Sequence, residues 1–438
     1  MIAQIVHPYN LQKALQQIVK NGGSAGVDKI STAKLTEHFR EQKLSLIEEL
    51  KNGTYKPKPI LGVEIPKSNG KIRLLGIPTT TERLLQQAVS QVIMPLFEKD
   101  FDKDSYGFRP NKNARNAVGK AWQNIHDGFQ YIVDVDLKNF FDEVDHCLLL
   151  NLIYQKVKCK NTLAIIRKWL RAPIKINGKL YKRRKGVPQG SPLSPLLSNI
   201  LLHELDKELN RKGLKFVRYA DDFGIFTKSE SQARKVKREL VLFLKTKLQL
   251  TINEEKSGIR KPVQFSLLGF RFVPTYIKGD KGKYQLTVDE KAWTRLRQKL
   301  KSITRKTSPL TLTERISKIK EVQRGWLNYF RGTSIHGKLR EVDMWLRNRL
   351  RYCIWHDWKK PERKRKNLIR LGVDQDHAYA WSRTRKGGWA IAQSPILITT
   401  ITLKRLKQKG YDSLLDVYFE LNPSLCEPPN TRPVRSVV

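Results

Sequence analysis

The chain has 438 residues, of which 39% are hydrophobic and 29% charged, and this length favours roughly two to four domains with packed interiors. Lys and Arg number 84 against 41 Asp and Glu, which gives a formal net charge of +43. Solubility alone needs a net charge of only about 2–8. The composition therefore indicates a large polyanionic partner, a nucleic acid. It does not indicate what is done to that nucleic acid.

Membrane and secreted classes of protein are disfavoured. No segment approaches the roughly 18 consecutive apolar residues of a spanning helix, and the N-terminus lacks the basic start and apolar stretch of a secretory signal. The four cysteines, Cys147, Cys159, Cys353 and Cys426, lie far apart without metal-ligand spacing. Isolated thiols fit a reducing cytosol better than a disulfide framework. We therefore expect a cytoplasmic protein without a membrane partner.

The N-terminal half alternates helical and extended patterns. Residues 1–60 are predicted to be helical and polar, with a loop at 21–28. A β-hairpin with basic residues near its tip is predicted over 62–78. A helix is predicted over 82–97.

Two acidic elements follow. Residues 130–137 are predicted to form an apolar strand, and alternation puts Asp134 and Asp136 on the same face. A second hairpin places Asp221 and Asp222 at a tight turn between apolar strands. Carboxylates on apolar elements are costly unless they are compensated, and a divalent cation such as Mg²⁺ compensates them. The alternative is that an Asp-Asp turn is an ordinary surface feature.

The C-terminal part differs in character. The second hairpin is predicted over 215–226. Beyond about residue 290 the chain is predicted to be wholly helical. Thr311 begins a capping-box pattern, and a further helix is predicted over 337–358. Residues 338–370 contain 12 Lys and Arg against four acidic residues, so this helical region is itself strongly basic.

Specific motifs resemble a known family. Residues Tyr219–Asp222 (YADD) resemble the active-site motif of reverse transcriptases, and Val135–Asp142 (VDLKNFFD) resemble that family's first catalytic motif. The surrounding pattern is similar to bacterial group II intron reverse transcriptase/maturases, in particular the compact IIC-like subclass that lacks an endonuclease domain. The resemblance, not strand alternation, selects Asp136 over Asp134. The catalytic and metal-binding residues that it implies are Asp136, Asp221 and Asp222, with Leu137 added to the metal site.

Further motifs follow in the family's order. Gly186–Pro195 (GVPQGSPLSP) resembles the motif that supports template and nascent base pair, and its two glycines would allow close backbone approach to that pair. Ser105–Pro110 resembles a second fingers motif, Leu250–Lys256 a palm motif and Leu267–Phe270 the primer grip. The implied dNTP-binding residues are Lys67, Arg73, Phe141, Gln189 and Lys256. The implied template and primer contacts are Arg109, Pro188, Gly190, Tyr219 and Gly269.

Several of these roles have a structural alternative. Phe141 is either an aromatic gate against the ribose 2′-OH of the incoming nucleotide or a core residue. Lys67 and Arg73 either hold the triphosphate or belong to a solvated basic hairpin. Lys256 is either a general acid toward pyrophosphate or a surface lysine. Ser191 stands where the family has a glycine, which would alter the fit of the template.

The helical C-terminal region resembles the maturase thumb, domain X, at Arg324–Phe330 and Trp345–Trp358. Such a region would bind intron RNA through its Arg/Lys face. Trp326 and Trp345 are expected in the core, with base-stacking platforms as the alternative. Thr384–Trp389 resembles the small DNA-binding domain that follows the thumb.

The predicted fold is α+β: a right-hand polymerase with an antiparallel sheet in its fingers and palm, then an α-helical thumb and a small basic C-terminal domain. The predicted domains are fingers and palm with an N-terminal extension (1–285), thumb or domain X (286–365), and a small DNA-binding domain with a frayed tail (366–438).

The predicted function is an RNA-directed DNA polymerase that copies a group II intron into cDNA and, as a maturase, promotes splicing and retrohoming. Its partners would be intron RNA, an RNA template with a DNA primer, target DNA and dNTPs. Its cofactor would be two Mg²⁺ ions, with Mn²⁺ as a substitute, in a nucleoid-associated ribonucleoprotein. The alternatives are a splicing cofactor in which polymerisation is secondary, and a domesticated relative in phage defence, repair or a CRISPR locus.

Overall fold

A computed structural model of the protein describes residues 1–66, 70, 72–275 and 283–422. The chain divides into two compact units, the first over Met1–Phe265 and the second from Ser266 onward. Helices and antiparallel sheets are mixed, which confirms the predicted α+β class. The units divide earlier in the chain than the palm–thumb boundary predicted at residue 285, and the assignment of domains stays a prediction.

Helices and strands alternate along the first unit. Its helices are α1 (Ile2–Ile5), α2 (Pro8–Asn21), α3 (Leu35–Asn52), α4 (Thr80–Glu98), α5 (Ala114–His126), α6 (Phe140–Glu143), α7 (His146–Lys156), α8 (Lys160–Arg171), α9 (Ser194–Arg211) and α10 (Glu230–Lys247). Its strands are β1 (Ile60–Pro66), β2 (Ile72–Ile77), β3 (Tyr131–Val135), β4 (Ile174–Ile176), β5 (Lys179–Tyr181), β6 (Lys215–Tyr219), β7 (Asp222–Thr227) and β8 (Gly258–Arg260).

One sheet has the order β6-β7-β3-β8 and is antiparallel throughout. Apolar side chains of β3 and β7 are buried in the core, among them Val133, Val135 and Phe223. The predicted strand at 130–137 is confirmed for Tyr131–Val135 only. The chain leaves the sheet at Asp136, whose carbonyl accepts a hydrogen bond from the Asn253 amide at 2.8 Å. Asp136 therefore lies just beyond the end of β3, on a segment held by the loop before β8.

The second sheet of this unit has the order β2-β1-β4-β5. β1 and β2 form the predicted hairpin, with Leu61 paired to Ile77 and Pro66 to Ile72, while β4 runs parallel to β1. The hairpin tip, including Lys67, lies outside the described residues. The predicted helix at 82–97 is confirmed as α4.

A buried carboxylate joins three segments beside this sheet. Glu82 on α4 is 3% exposed. It accepts hydrogen bonds from the Tyr55 hydroxyl at 2.7 Å, the Lys58 amide at 2.9 Å and the Trp169 indole at 2.6 Å. Burial raises the pKa of Glu82, while the three donors oppose that rise. The carboxylate thereby ties α4 to α8 and to the chain entering β1.

The second unit begins with a small sheet and is helical afterwards. Its strands are β9 (Ser266–Leu267), β10 (Phe270–Pro274) and β11 (Tyr284–Val288). Its helices are α11 (Glu290–Ile303), α12 (Leu312–Phe330), α13 (His336–Asp357), α14 (Pro361–Arg370), α15 (Gln375–Ser382), α16 (Gly388–Ala392), α17 (Pro395–Thr400), α18 (Leu403–Gln408) and α19 (Leu414–Leu421).

The helical character of this unit follows the predicted pattern. From Glu290 to Leu421 the described elements are all helices. The capping box at the start of α12 is present, because Thr311 accepts from the Glu314 amide at 3.3 Å and its own amide donates to the Glu314 carboxylate at 2.7 Å. Trp326 packs between Trp293 and Phe330, with ring centroids 4.7 Å from each. None of the helices described in the chain is long and apolar enough to cross a membrane.

Removing the buried carboxylate by Glu82→Ala should lower the free energy of unfolding by about 3 kcal/mol, because three buried donors lose their acceptor. Urea denaturation followed by circular dichroism measures this change. The control is Glu48→Ala on the exposed side of α3, which should change stability by no more than about 0.5 kcal/mol. Equal unfolding midpoints for the two variants would contradict the assigned role of Glu82.

Candidate active site

The turn between β6 and β7 carries two adjacent carboxylates. Tyr219 pairs with Asp222 across it, and Ala220 and Asp221 form its tip. Ala220 has a φ of +57°, as a two-residue hairpin turn of this kind requires. That conformation is uncommon for a residue with a side chain. The surrounding structure must therefore hold the turn in place.

Asp221 and Asp222 belong to one acidic cluster with the end of β3. Protein atoms surround Asp222 on most sides although its side chain reaches solvent. This burial, together with the negative charges of Asp221, Asp136 and Asp134, raises the pKa of Asp222 to about 6. Burial also raises the pKa of Asp221, with a contribution from Asp136. The segments after β3 and at the β6–β7 turn thus bring their like charges close together.

Asp134 and Asp136, which strand alternation places on the same face, are paired with different cations. Asp134 accepts a hydrogen bond from Arg260 Nε at 2.6 Å. Asp136 accepts from Lys256 Nζ at 3.2 Å, and these two side chains are 36% and 60% exposed. An exposed lysine is a weakly held partner, whereas the guanidinium forms a short charge-assisted bond. Asp136 is therefore the carboxylate more readily available to another cation.

Two predicted nucleotide-binding residues lie beside the cluster. Arg73 on β2 donates from Nε to Gln189 Oε1 at 2.5 Å, and the Gly76 amide donates to the Gln189 carbonyl at 2.9 Å. The positive charge of Arg73 lowers the pKa of Asp221. The structure therefore brings Arg73, Gln189 and the acidic turn together, although they are far apart in sequence.

Phe141 is bonded to the Gly186–Gln189 segment through its backbone. Its carbonyl accepts a hydrogen bond from the Val187 amide at 2.7 Å. The half-buried ring meets Phe140 edge to face at 5.2 Å and packs against the core. Both interpretations of Phe141, nucleotide gate and core residue, stay open.

Gly269, a predicted primer contact, belongs to the second unit, where it has a φ of +84° and approaches Phe330.

Arg109, a predicted template contact, is engaged within the protein. Its side chain is 5% exposed and pairs with Glu98 at 2.8 Å. Its remaining donors bind the carbonyls of Phe101, Asp102 and Ser105. Because every nitrogen of the guanidinium has a partner inside the protein, Arg109 holds its own loop together, and its contact with template stays a prediction.

The glycine-rich motif makes a close approach within the protein, while its predicted contact with template and primer stays a prediction. Gly190 has a φ of +124°, and a Cβ there would lie 2.6 Å from the carbonyl oxygen of Gly76. Pro188 is buried. Ser191 is buried too and donates to Gln86 at 2.8 Å. The close approach that this motif permits is between two parts of the protein, and it seats Gln189 beside Arg73.

A buried ion pair beneath the turn was not predicted. Arg218 on β6 and Asp206 on α9 are both 0% exposed, and Arg218 Nε and Nη2 donate to the two Asp206 carboxylate oxygens at 2.7 and 2.5 Å. Arg218 Nη1 also donates to Asn199 at 3.0 Å and to the Ala220 carbonyl at 3.1 Å. The pair therefore fixes the tip of the acidic turn from below. The available signal was Arg218 within an apolar strand, whereas Asp206 stands among other charged residues of α9 and gives no such signal.

The Ser105–Pro110 motif supports the same turn. The Tyr106 amide donates to the Arg218 carbonyl at 2.8 Å, and Asn199 donates to the Gly107 carbonyl at 2.8 Å. A Cβ on Gly107 would lie 2.3 Å from the backbone nitrogen of Ala220. Only glycine allows this segment to lie against the turn.

The donor set of the acidic cluster fits a divalent metal ion. Among the described residues, no group of three or more His, Cys, Asp and Glu side chains is arranged as a ready metal site. The cluster nevertheless offers carboxylate oxygens, the ligands that Mg²⁺ prefers. A cation would relieve the repulsion that raises the pKa values of Asp221 and Asp222. The Leu137 side chain is buried and apolar. The atom of Leu137 that could bind a metal ion is therefore its backbone carbonyl oxygen.

Two models of known protein families match the chain. Residues 65–272 match the family model described as "Reverse transcriptase (RNA-dependent DNA polymerase)", and residues 293–372 match "Group II intron, maturase-specific domain". The chain therefore has a reverse transcriptase domain followed by a group II intron maturase-specific domain. The predicted family is confirmed, and its two domains occur in the expected order.

Individual relatives agree with this assignment. The reverse transcriptase is 33% identical over 287 residues to the group II intron-encoded protein LtrA of Lactococcus lactis subsp. cremoris, a match over 50% of this chain and 48% of LtrA. It is 29% identical over 314 residues to protein YkfC of Escherichia coli (strain K12), over 62% of this chain and 82% of YkfC. The chain thus spans about half the length of LtrA.

A solved chain titled "Partial Cas6-RT-Cas1--Cas2 complex" is 27% identical to the reverse transcriptase. The match covers 56% of this chain and 42% of that chain, with a TM-score of 0.37. That score is too low to bear on fold or function.

A methyl group beneath the turn should disable this reverse transcriptase. In Gly107→Ala the added Cβ would collide with the backbone of the turn, and cDNA synthesis should fall by roughly 100-fold or more, as a displacement of about 1 Å in a catalytic site can cause. Primer extension on an RNA template measures the effect. The matched control is Gly119→Ala on α5, where nothing lies within 4 Å. It should keep full activity. Full activity of Gly107→Ala would contradict the supporting role.

Stability should depend on pH through Asp222. Its folded pKa of about 6 lies above the ordinary aspartate value of 3.8, so the folded protein binds more protons than the unfolded chain between these values. The favourable contribution is complete below about pH 4 and is lost as pH rises through about 6. Asp222→Asn should therefore raise the melting temperature at pH 8 in metal-free buffer, with a gain that shrinks toward pH 4. Asp127→Asn, on an exposed helix end, serves as control. A gain independent of pH would contradict the assignment.

Proposed function

We propose that this protein is an RNA-directed DNA polymerase that copies a group II intron RNA into cDNA and, as a maturase, folds that intron for splicing and retrohoming. The observation that carries the proposal is the acidic cluster of Asp136, Asp221 and Asp222 beside the linked pair Arg73 and Gln189. Carboxylates for metal ions and a guanidinium for phosphate are the two components that nucleotidyl transfer requires.

In this proposal Asp136, Asp221 and Asp222 hold two Mg²⁺ ions, which Mn²⁺ can replace, with help from the Leu137 carbonyl. When bound, the ions would activate the primer 3′-hydroxyl and stabilise the leaving pyrophosphate. The like charges that raise the pKa of Asp222 support this role, because they leave the cluster short of positive charge.

The incoming dNTP would be held by the chain's own cations. Arg73 would bind the triphosphate through the two terminal nitrogens of its guanidinium, for which the described residues supply no partner, while Gln189 fixes the orientation of its Nε. Lys67 would add a second contact from the hairpin tip. Lys256, 3.2 Å from Asp136, would donate a proton to the departing pyrophosphate. Phe141 would limit space near the ribose 2′-OH.

The proposed template and primer contacts include Tyr219 of the first unit and Gly269 of the second. The maturase role is supported by the match of residues 293–372 to the maturase-specific domain. It is also supported by the 12 basic against four acidic residues of 338–370. Such an excess of positive charge favours a polyanion with strongly salt-dependent affinity. The proposed setting is a cytoplasmic, nucleoid-associated ribonucleoprotein of the IIC-like subclass that also meets target DNA.

Asp221→Asn should abolish Mg²⁺-dependent cDNA synthesis on a primed RNA, because the site loses a metal-binding carboxylate, and should leave RNA affinity unchanged. The control is Asp134→Asn, which changes a carboxylate already paired with Arg260 and should keep most activity. Primer extension and filter binding measure the two properties. Extension by Asp221→Asn at the parental rate would contradict the catalytic assignment.

The proposed maturase activity is measured separately, by splicing of the intron. Both variants should promote splicing of the intron encoding this protein at low Mg²⁺, because the changed carboxylates lie in the polymerase cluster. If the parental protein does not improve splicing, the maturase role is wrong while the polymerase assignment stands.

A further inference from the structure

The second unit contains an open cavity of about 570 Å³ between α11, α13 and α16. This volume lies within the range of ligand-binding pockets, about 300–1,000 Å³. Its principal lining residues are three aromatic and three basic side chains. They are Trp345, Tyr352 and Trp389, with Arg297, Lys301 and Arg349. No Asp or Glu contributes to the lining in the part of the chain that the structure describes.

The aromatic side of the cavity depends on a close approach of two helices. A Cβ on Gly388, at the start of α16, would lie 3.1 Å from the Tyr352 ring, so glycine there lets α16 pack on α13. Tyr352 and Trp389 then meet edge to face at 5.9 Å, and Trp389 remains 36% exposed. Trp345, predicted to be a core residue, is half-buried and lines the cavity instead.

The basic side chains leave positive charge uncompensated at the cavity. Arg349 is anchored to Thr304, with Nε 3.1 Å from its hydroxyl and Nη2 2.6 Å from its carbonyl. Its guanidinium carbon lies 5.7 Å from the Trp389 ring centroid. The side chains of Arg297 and Lys301 have no ion-pair or hydrogen-bond partner within the described residues, although Arg297 lies over Trp345 at 5.9 Å. An anionic ligand would supply the missing partners.

We propose that this cavity binds one unstacked nucleotide of RNA, a bulged or looped base with its phosphate. The aromatic side chains would stack on the base, and the basic ones would contact phosphate. A paired base within a duplex cannot offer its face in this way, because its neighbours cover it. Five of the six principal residues lie within the matched maturase-specific domain, residues 293–372, which favours RNA over DNA. The proposal rests on the proposed RNA-binding function and names the RNA element recognised.

The test uses the full chain and two RNA hairpins that differ by one unpaired nucleotide in the stem, at fixed salt. The parental protein should bind the bulged hairpin more tightly. Loss of one stacking partner in Trp389→Ala should weaken binding of the bulged RNA by about tenfold and leave the paired hairpin unchanged. Trp389→Phe should retain most of the preference, because a smaller ring still stacks. The matched control is Trp122→Ala on α5, a tryptophan 38% exposed, which should change neither affinity.

A crosslinking measurement keeps the proposal testable if Trp389→Ala fails to fold. A 5-iodouridine at the bulge should crosslink to a peptide of α11, α13 or α16 in the parental protein. A DNA hairpin with the same bulge is measured as well. Equal parental affinity for the two RNA hairpins, equal losses on both in Trp389→Ala, or tighter parental binding of the DNA hairpin than of the bulged RNA would overturn the RNA nucleotide site. Primer extension by the same preparations reports separately on the polymerase, since none of these tryptophans belongs to its proposed site.

Discussion

The architecture of the acidic site depends on one buried ion pair, Arg218 with Asp206. Both side chains are fully buried, and removing one partner of such a pair commonly costs about 3–5 kcal/mol because the other charge is left without compensation. The geometry here is bidentate, and the remaining donor of Arg218 reaches the Ala220 carbonyl. A charge that must stay buried and paired thus determines where α9 and β6 lie, and it holds the turn in its left-handed conformation.

In the proposed reaction, the fixed position of the turn keeps three negative charges close together. Asp136, Asp221 and Asp222 repel one another, and their mutual repulsion opposes folding when no cation is present. A flexible turn would relieve the repulsion by moving the carboxylates apart. The Arg218–Asp206 pair and the approach of Gly107 prevent this movement. The first unit therefore maintains a local destabilisation that a bound cation would reverse, as catalytic sites commonly do.

Local features of the fold could be predicted from the sequence, whereas pairings between distant segments could not. The hairpin at 215–226 and the capping box at Thr311 depend on neighbouring residues, and both are present. The bond between Arg73 and Gln189 joins residues 116 positions apart, and no periodicity encodes such a contact. Strand alternation gave the face of Asp134 and Asp136 but not their partners, Arg260 and Lys256. The distinction between the two carboxylates lies in those partners.

Motif resemblance identifies residues more reliably than it identifies what they touch. A position that tolerates only glycine is equally consistent with approach to a base pair and with approach to another part of the protein. Gly107 and Gly190 are of the second kind, because the atoms that exclude a Cβ belong to Ala220 and Gly76. Arg109 likewise satisfies its donors internally. Trp345 differs in the opposite direction: it was expected in the core, with base stacking as the alternative, and it lines a cavity that also contains cations. In each case the contacts of the residue depend on which atoms lie nearest to it, and only the folded chain determines those atoms.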